Sequence, residues 1–335
     1  MIKKNYSKEK KSLIDVSVII PMRNASTTVL ETLNTIVKQT YPIREIIVID
    51  NVSKDNSREI VLGFAKKCKI PIELIRQKKD KGVSSSYNLG VRLAKSEYVV
   101  FLTSDCSLLT EHELEELVEP LRNDPLVVAS YSTSVLPGYV WDTYNFWEKY
   151  HAARMVDNRS SLMVLKFDCV RRAAFLKIGG FDEVNFGGDG AIGGEDADLN
   201  NRLRNEGKIV RSNANSLHLH YMADDYTLLN MARSRKMYAR SYGRYLRKNP
   251  FVSPFASVVF LARPALAILP IMPFINRAGI IVLVLYAFFY SKKMFTTLAT
   301  LADPKILLIP ILNILFLYYE TYWMARAFFS YRKVI

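Results

Sequence analysis

VSVIIPMRN at residues 16–24 and EIIVIDNVSKDNS at residues 45–57 each join a short apolar run to a polar turn. Apolar runs of this length that are rich in Val and Ile predict buried β-strands. IELI at 72–75 and YVVFL at 98–102 are two more such runs, and SSSYNLGVRLAK between them has the apolar spacing of a helix. Strands that alternate with helices predict a mainly parallel sheet, which binds ligands at the carboxyl ends of its strands.

Polar side chains follow these strands at the edge where a ligand would bind. Asp50 and Asn51 come after the second strand, Asp80 and Gly82 come before the helix that follows the third, and Asp105 comes after the fourth. Carboxylates at such an edge can accept hydrogen bonds from a ribose or a base. Asp and Asn are also common in ordinary turns, so each position alone is a weak signal. Their convergence on one edge predicts a binding site.

The net positive charge of the chain lies in its last third. The 335 residues carry 46 Lys and Arg against 32 Asp and Glu, a net charge of +14. Residues 1–225 hold 31 basic and 30 acidic side chains, whereas residues 226–250 hold seven basic and no acidic ones. This distribution argues against a nucleic-acid-binding domain. It predicts a polar globular body followed by a basic, apolar region that meets a membrane.

Four regions follow from these patterns. We expect a basic tail at 1–14, an α/β domain at 15–225, a basic amphipathic helix at 226–250 and an apolar helical region at 251–335. Basic residues at steps of three and four predict that the 226–250 helix lies on a membrane surface, with a solvated helix face as the alternative. Apolar stretches at 251–276, 278–290 and 306–319 predict two or three membrane segments. Buried helices of a soluble domain are the alternative for these stretches.

Seven motifs occur in a fixed order along the chain. They are VIIPMRN, VIDNVSKDNS, DKGVSSSYNLG, FLTSDCSLL, KIGGFDE, GGEDADLNNRLRNEG and SLHLHYM. With these motifs in register over about residues 15–222, the chain resembles the inverting family-two glycosyltransferases with the GT-A fold. The resemblance implies an α/β nucleotide-diphospho-sugar transferase fold, a mainly parallel sheet flanked by helices, followed here by an α-helical membrane-associated region.

The resemblance also implies a role for each matching position. The nucleotide-sugar would be bound by Pro21, Arg23, Asp50, Asn51, Asp80, Gly82, Asn88, Ser104 and Asp105. Asp105 and His218 would hold a divalent cation, Mg²⁺ or Mn²⁺. Asp196, with Glu195 beside it, would be the catalytic base.

The chemistry of sugar transfer explains why such residues are needed. A nucleoside diphosphate leaving group develops negative charge as its bond to the sugar breaks, and a divalent cation held by Asp105 neutralises that charge. On the opposite side of the sugar, a carboxylate of Glu195 or Asp196 accepts the proton of the attacking hydroxyl. Because neighbouring carboxylates repel each other, we expect the pKa of one of them to be raised. Capping of a helix N-terminus is the alternative role for this pair.

One position departs from the family pattern. Thr103 stands where the family has the first carboxylate of an Asp-x-Asp motif, so metal binding is expected to be weaker. If metal binding failed altogether, the chain would be a catalytically degenerate glycan-binding protein.

The acceptor is expected to be a saccharide on a lipid. No Gln-x-x-Arg-Trp signature of processive synthases follows the base, which favours one sugar per encounter. We expect transfer to a hydroxyl of a lipid-linked saccharide, in polysaccharide assembly or protein glycosylation, with Arg233, Lys236 and Arg240 meeting the lipid phosphate. A polyprenyl- or dolichyl-phosphate sugar synthase is the alternative. A Gly-rich stretch at 185–194 predicts a lid over the acceptor. Three cysteines without CxxC spacing favour a reducing compartment, so the catalytic domain is expected on the cytoplasmic face of a membrane.

Overall fold

The computed structural model describes residues 14–159, 163–186, 194–219, 226–249 and 254–330, with backbone only at 254–260. The expected basic tail, apart from residue 14, lies outside these ranges, as does most of the expected lid at 185–194. The structure therefore describes most of the expected α/β domain, the basic helix and the apolar helical region.

A single eight-stranded sheet organises the first two thirds of the chain. Its strands are β1 (Val16–Met22), β2 (Ile43–Asp50), β3 (Ile72–Arg76), β4 (Tyr98–Leu102), β5 (Cys106–Leu108), β6 (Val127–Val135), β7 (Phe167–Arg171) and β8 (Lys208–His218). Their order across the sheet is β3-β2-β1-β4-β7-β6-β8-β5. All four strands predicted from apolar runs are present.

Helices cover the sheet and form the C-terminal region. Around the sheet lie α1 (Val29–Ile36), α2 (Ser57–Ala65), α3 (Gly82–Leu93), α4 (Glu113–Asn123), α5 (Gly138–Asp142), α6 (Phe146–Ala152), α7 (Arg172–Lys177), α8 (Glu183–Phe186) and α9 (Glu195–Arg204). After the sheet come α10 (Leu228–Lys248), α11 (Pro254–Ile268), α12 (Asn276–Phe289), α13 (Leu298–Leu301) and α14 (Ile309–Phe329). Short 3₁₀ turns at Leu269–Ile271, Lys292–Phe295 and Pro304–Leu308 join the last of these.

The sheet is parallel in one half and mixed in the other. β3, β2, β1 and β4 are parallel neighbours, as expected. β7 runs antiparallel to both β4 and β6, and β5 runs antiparallel to β8. The mixed half was not foreseen because β6 and β8 alternate polar and apolar residues, so neither contains a continuous apolar run.

Two apolar cores lie on the two faces of the sheet. One face packs against α1, α2 and α4 through residues such as Leu33, Val61 and Leu117. The other face packs against α3, α7 and α9 through residues such as Val91 and Phe175. Since both faces are covered, the strand ends and the loops beyond them are the free surface at which a ligand can bind.

A third core joins the C-terminal helices to the domain. Trp141 and Tyr150, from α5 and α6, pack with Met231 of α10 and with Ile309 and Phe316 near the start of α14. The apolar region is therefore attached to the α/β domain through shared buried side chains. The domain boundaries drawn from the sequence at 225 and 250 stay predictions.

α10 and α14 lie side by side and point in the same direction. An ion pair of 2.7 Å joins Arg235 of α10 to Glu320 of α14, and further along both helices Arg247 lies over the ring of Phe328. Gly243 of α10 faces the backbone carbonyl of Met324, and a Cβ placed at Gly243 would overlap that oxygen. Glycine at this position is what allows the two backbones to approach so closely.

The apolar helices differ in their ability to cross a bilayer. Among the described residues, one helical stretch, Pro304–Phe329, is long and apolar enough to cross a membrane, with a mean hydropathy of 1.4. α12 has 14 residues, so its length of about 21 Å is short of the roughly 30 Å hydrocarbon core. The expected number of two or three membrane segments stays a prediction.

Gly243→Ala is expected to destabilise the protein. The added methyl group overlaps the carbonyl of Met324, and such overpacking costs about 1–3 kcal/mol. Gly63→Ala in α2 is the matched control, because no atom lies within 4 Å of its added Cβ. The control should gain about 0.5–1 kcal/mol from helix propensity. Denaturant unfolding of both variants measures this, and equal stability would show that the helices do not pack through Gly243.

Candidate active site

The predicted nucleotide end of the site lies where β1, β2 and β3 end side by side. Asp50 ends β2 and is fully buried, and its Oδ1 accepts a hydrogen bond of 3.0 Å from the backbone N–H of Ser53. Asn51 Nδ2 donates to Asp80 Oδ1 at 2.6 Å, and a guanidinium nitrogen of Arg23 lies 2.5 Å from Asp80 Oδ2. Four of the predicted nucleotide-binding residues therefore meet at this edge.

Three more predicted residues lie close to this edge. Pro21 is near the end of β1. Gly82 begins α3 with a φ of +80°, a left-handed conformation that favours glycine, and its N–H donates to Asp80 Oδ1 at 3.0 Å. Ser104 is buried, and its carbonyl oxygen accepts a 2.8 Å hydrogen bond from the Thr28 hydroxyl. The Thr28 hydroxyl thereby joins the segment after β1 to the segment after β4.

Asn88 lies apart from the other predicted nucleotide-binding residues. Its side chain is buried in α3, where Nδ2 donates to the carbonyl oxygen of Phe181 at 3.0 Å and to Glu183 at 2.8 Å. Its Oδ1 accepts from the N–H of Phe181 at 2.8 Å. Asn88 thus fixes the segment 180–183, and its part in nucleotide binding stays a prediction.

Asp105 and His218 lie together because β5 pairs with the end of β8. Cys106, directly after Asp105, is opposite His218 in the sheet. His218 Nε2 is 2.9 Å from Asp105 Oδ2 and 2.9 Å from Lys166 Nζ. A ring nitrogen makes one of these two bonds at a time: an unprotonated Nε2 accepts from Lys166, and a protonated Nε2 donates to Asp105.

Asp105 and His218 offer an oxygen and a nitrogen to a divalent cation. Within the described ranges no group of three or more His, Cys, Asp or Glu side chains could hold a metal ion. The pair fits a site in which waters and substrate phosphates supply the remaining ligands. The carboxylate is the donor type that Mg²⁺ and Mn²⁺ prefer, so Asp105 is the stronger ligand of the two.

Thr103 occupies the position of the absent family carboxylate. Its hydroxyl lies 3.1 Å from the buried Cys106 sulfur, and its N–H donates to the carbonyl oxygen of Lys166 at 3.0 Å. Thr103 therefore helps to place Lys166 beside Asp105.

Glu195 and Asp196 begin α9. Gly194 precedes them with a φ of +88°, and Glu195 is buried. Asp196 Oδ1 accepts a 2.7 Å hydrogen bond from the N–H of Ala197. Burial raises the pKa of Asp196, although backbone N–H groups at this helix start lower it. The pKa shift was expected from repulsion between the neighbouring carboxylates, but burial is its main cause.

Asp168, in β7, is a second buried carboxyl group beside Asp196. Its side chain is 1% exposed, and its Oδ2 accepts a 2.5 Å hydrogen bond from the N–H of Leu165. Burial, together with the nearby charge of Asp196, raises the pKa of Asp168 to about 8. Asp168 is therefore mostly protonated at neutral pH and adds little negative charge beside Asp196.

Lys166 links the two ends of the cleft. Its ammonium group bonds to His218 at 2.9 Å, and its charge lowers the pKa of Asp196. The cluster of Asp105 and His218 and the start of α9 therefore lie within the field of one side chain. Lys166 thus acts both on His218 of the predicted metal pair and on Asp196, the predicted base.

α10 forms a wall behind the predicted base. A Cβ placed at Gly194 would lie 3.2 Å from the carbonyl oxygen of Ser241. Burial raises the pKa of Tyr242 to about 12, and the charge of Asp196 raises it as well. At the end of α10, Lys248 bonds to Asp198 of α9 at 2.8 Å. The basic helix is thus part of the cleft.

The predicted acceptor contacts on α10 lie in different surroundings. Arg233 is exposed. Lys236 is half-buried, with its Nζ 3.8 Å from the centre of the Trp323 ring in α14. Arg240 is half-buried. Contact of these three side chains with a lipid phosphate stays a prediction.

Sequence reasoning missed Lys166, Asp168 and Tyr242. Asp168 interrupts the apolar strand FDCV at 167–170, and a carboxylate inside a buried strand was a readable signal. Lys166 stands two positions before it. Tyr242 gave no signal in the sequence, because its interaction with Asp196 depends on contacts between distant parts of the chain.

The domain defined by this fold and site matches a known family. Residues 17–178 match the family model described as Glycosyl transferase family 2. This stretch runs from β1 to α7 and includes the nucleotide end of the cleft. The chain therefore carries a family 2 glycosyltransferase domain with the GT-A fold, which confirms the resemblance drawn from the motifs and identifies the enzyme class of the domain.

Two curated relatives illustrate the similarity. Over 118 residues the chain is 30% identical to glycosyltransferase GlyG of Streptococcus pneumoniae, a match that covers 35% of this chain and 38% of that protein. Over 90 residues it is 34% identical to WfgD of Escherichia coli, described as a UDP-Glc:alpha-D-GlcNAc-diphosphoundecaprenol beta-1,3-glucosyltransferase, covering 27% of this chain and 34% of that one. The chain thus aligns with only about a third of the length of these relatives.

A solved structure shows the same fold over most of the chain. The mannosyltransferase PcManGT of Pyrobaculum calidifontis, in complex with GDP-Man and Mn²⁺, superposes with a TM-score of 0.59 and 18% identity. The superposition covers 93% of this chain and 87% of that one. At this level of identity the likeness establishes the fold.

Asp168→Asn is expected to flatten the pH dependence of stability between about pH 4 and pH 8. The pKa of Asp168 is about 8 in the folded protein and 3.8 in its ordinary state, so the unfolded chain binds fewer protons over this range. The free energy of unfolding therefore falls as the pH rises from about 4 to about 8, and this fall is absent in Asp168→Asn. Thermal unfolding at pH 5 and pH 8 tests this.

Asp124→Asn is the control, because contacts with Leu126 and Lys208 lower the pKa of the exposed Asp124. Its stability relative to the wild type should stay constant between pH 5 and pH 8. A similar constant difference for Asp168→Asn would mean that Asp168 is ionised in the folded protein at pH 5.

Proposed function

We propose that the chain is an inverting, non-processive glycosyltransferase that moves a sugar from a nucleoside-diphosphate donor to a hydroxyl of a lipid-linked saccharide. The main support is the position of Lys166, which bonds to His218 beside Asp105 and also acts electrostatically on Asp196. A leaving-group site and a base site thereby lie at the two ends of one cleft. This is the arrangement that a single displacement needs.

The donor end provides groups for a nucleoside diphosphate. Asp80, whose side chain is 43% exposed, presents a carboxylate after β3 where a ribose or base can be hydrogen-bonded, and the buried Asp50 and Asn51 hold the loops beside it. Arg23 and Lys166 supply positive charge on the two sides of this edge. A diphosphate placed between them would be held and oriented by charge-assisted hydrogen bonds.

Stabilisation of the leaving group is shared between side chains. Asp105 and His218 would hold Mg²⁺ or Mn²⁺, which would supply positive charge to the leaving diphosphate. The ammonium group of Lys166, 2.9 Å from His218 Nε2, adds positive charge nearby. Lys166 can therefore supply part of the leaving-group stabilisation that a metal site weakened at Thr103 would lose.

Asp196 accepts the proton of the acceptor hydroxyl in this proposal. Burial raises the pKa of its carboxyl group, which strengthens it as a base. Protonated Asp168 and the buried tyrosines of α10 exclude water around it. The hydroxyl then attacks the sugar from the side opposite the diphosphate, so the anomeric centre is inverted.

A lipid-linked acceptor agrees with the C-terminal region. The relative WfgD is named as a glucosyltransferase that acts on a diphosphoundecaprenol-linked sugar. Here, most of the exposed large apolar side chains lie between residues 261 and 330, with Phe274 98% exposed and Leu298 85% exposed. Such surface is typical of membrane contact.

The packing of α14 favours association in the plane of the membrane. α14 is long enough to cross a bilayer, but it lies along α10, a helix with basic side chains over its whole length. If α14 crossed the hydrocarbon core, α10 would have to enter it as well, at high cost. We therefore propose that these helices lie in the interface, with the catalytic domain on the cytoplasmic face. The three free cysteines suit that compartment.

Asp196→Asn is expected to lower the rate of sugar transfer by about 10²- to 10⁴-fold, because an amide cannot accept the proton. Nucleotide binding should be nearly unchanged. Asp157→Asn is the control, since Asp157 is exposed and its φ of +57° suits asparagine. Steady-state kinetics with sugar nucleotides and calorimetric titration of the nucleotide measure the two effects. Full activity in Asp196→Asn would remove Asp196 from the base role.

Phe274→Glu and Leu298→Glu together are expected to reduce binding of the full chain to anionic lipid vesicles at least tenfold in co-sedimentation. The two substitutions remove large exposed apolar side chains and add charge that opposes insertion. Leu126→Glu is the control, because Leu126 is 62% exposed on the α/β domain. Equal binding of all three proteins would contradict the proposed membrane surface.

A further inference from the structure

A cavity of about 420 Å³ lies between α10, the end of α6 and the C-terminal helices. Its wall includes Arg154, Arg235, Arg263, Tyr242, Tyr290 and Glu320. The volume is within the range of small-molecule sites. None of the residues matched to the family motifs lines this cavity, so it is separate from the nucleotide end of the cleft.

Three guanidinium groups converge on one phenol oxygen in the cavity wall. The hydroxyl oxygen of Tyr290 is 3.1 Å from Arg154, 3.4 Å from Arg235 and 2.6 Å from Arg263. A phenol oxygen cannot satisfy three cationic donor groups by itself, because each guanidinium carries five N–H donors. The wall therefore presents more donors than its own acceptors can use.

The positive charge of the cavity exceeds the negative charge. Glu320 pairs with Arg235 at 2.7 Å and also with Arg263, and the wall also contains Arg154, so it holds three guanidinium groups and one carboxylate. Arg235 is only 8% exposed, and its Nε has no hydrogen-bond partner in the part of the chain that the structure describes. Buried positive charge that is not balanced is costly unless an anion occupies the space beside it.

The cavity adjoins the proposed base through Tyr242. The charges of Asp196 and Glu195 raise the pKa of Tyr242, whereas those of Arg263 and Arg154 lower it. Tyr242 also lines the cavity. Ser241, the residue before it, faces Gly194 directly before Glu195, so the cavity and the start of α9 adjoin at this part of α10.

Apolar surface begins next to the charged wall. Leu261, two residues before Arg263, is 54% exposed, and Phe289, directly before Tyr290, is 68% exposed. A ligand with an anionic group and a long apolar chain could bind here. Its anionic group would lie among the arginines, and its apolar chain would lie along these helices. The carboxylates at the start of α9 would then face the next part of that ligand.

We propose that this cavity binds the phosphate or diphosphate group of the acceptor. The proposal rests on the proposed function, since it places the acceptor sugar at Asp196 and its phosphate beyond Tyr242. The bidentate geometry of guanidinium groups suits phosphate oxygens, and Arg235 is held ready for them by its ion pair with Glu320. Arg154, Arg235 and Arg263 are the acceptor-phosphate residues, whereas the sequence had pointed to neighbouring basic residues of α10.

Equilibrium binding of farnesyl diphosphate to the full chain tests this proposal. Arg154→Gln and Arg263→Gln should each weaken binding about tenfold or more, because each removes a charge-assisted contact. Arg154 is exposed and Glu320 keeps its pair with Arg235 in either variant, so both are expected to fold, which thermal unfolding checks. Arg211→Gln, at an exposed arginine of β8 that does not line the cavity, is the matched control and should bind as the wild type does.

Two results would overturn the proposal. One is unchanged binding in Arg154→Gln and Arg263→Gln together with weakened binding in Lys166→Gln, which would place the diphosphate at the donor end of the cleft. The other is equal affinity for farnesol, which would make the cavity an apolar site. Binding requires no sugar transfer, so failure of this test is distinguishable from failure of the proposed activity.

Inorganic pyrophosphate distinguishes the two sources of the anionic group. Farnesyl diphosphate that binds at least tenfold more tightly than pyrophosphate, with the same dependence on Arg154 and Arg263, assigns the cavity to a lipid headgroup. Equal affinities for farnesyl diphosphate and pyrophosphate, with the same dependence on Arg154 and Arg263, assign the cavity to a soluble phosphate compound. Both results support the anion site, and they differ in what carries the phosphate.

Discussion

The proposed cleft depends on one ammonium group, that of Lys166, which offsets the negative charge of carboxylates from different parts of the chain. Lys166 follows a loop, Asp105 follows β4, His218 ends β8 and Asp196 begins α9. Carboxylates gathered in a partly buried space repel each other and resist ionisation. Lys166 and His218 offset this repulsion on one side, while protonation of Asp168 removes a charge on the other. Lys166 therefore acts on groups of the predicted metal site and on the predicted base.

α10 connects this cleft with the C-terminal region. One of its sides lies against the start of α9, where Ser241 faces Gly194, and another lies against α14 through Gly243 and Arg235. The same helix thus forms a wall of the proposed base site and a wall of the arginine-lined cavity. Because a sugar and a lipid phosphate are covalently joined in the proposed acceptor, a single rigid helix between their two sites would fix the distance from phosphate to reacting hydroxyl.

Much of the donor side could be predicted from the sequence. Continuous apolar runs located β1 to β4, and polar residues directly after them marked Asp50, Asp80 and Asp105 as members of one edge. The mixed half of the sheet was not predicted, because β6 and β8 are recognisable as strands only through their partners. Asp168 was not predicted as a site residue for a related reason. Its raised pKa comes from burial between helices and strands that are distant in sequence.

The sequence by itself determined the fold class and the order of the polar loops, because both follow from local periodicity and from the chemistry of turns. It also showed that 226–250 is a basic helix. Helical spacing alone could not reveal which of its faces is buried, since the partner Glu320 lies 85 residues beyond Arg235. Only the tertiary structure decided that Arg235, and not the neighbouring Arg233, enters a cavity. The reason is that burial and pairing of charge are set by contacts between segments far apart in the chain.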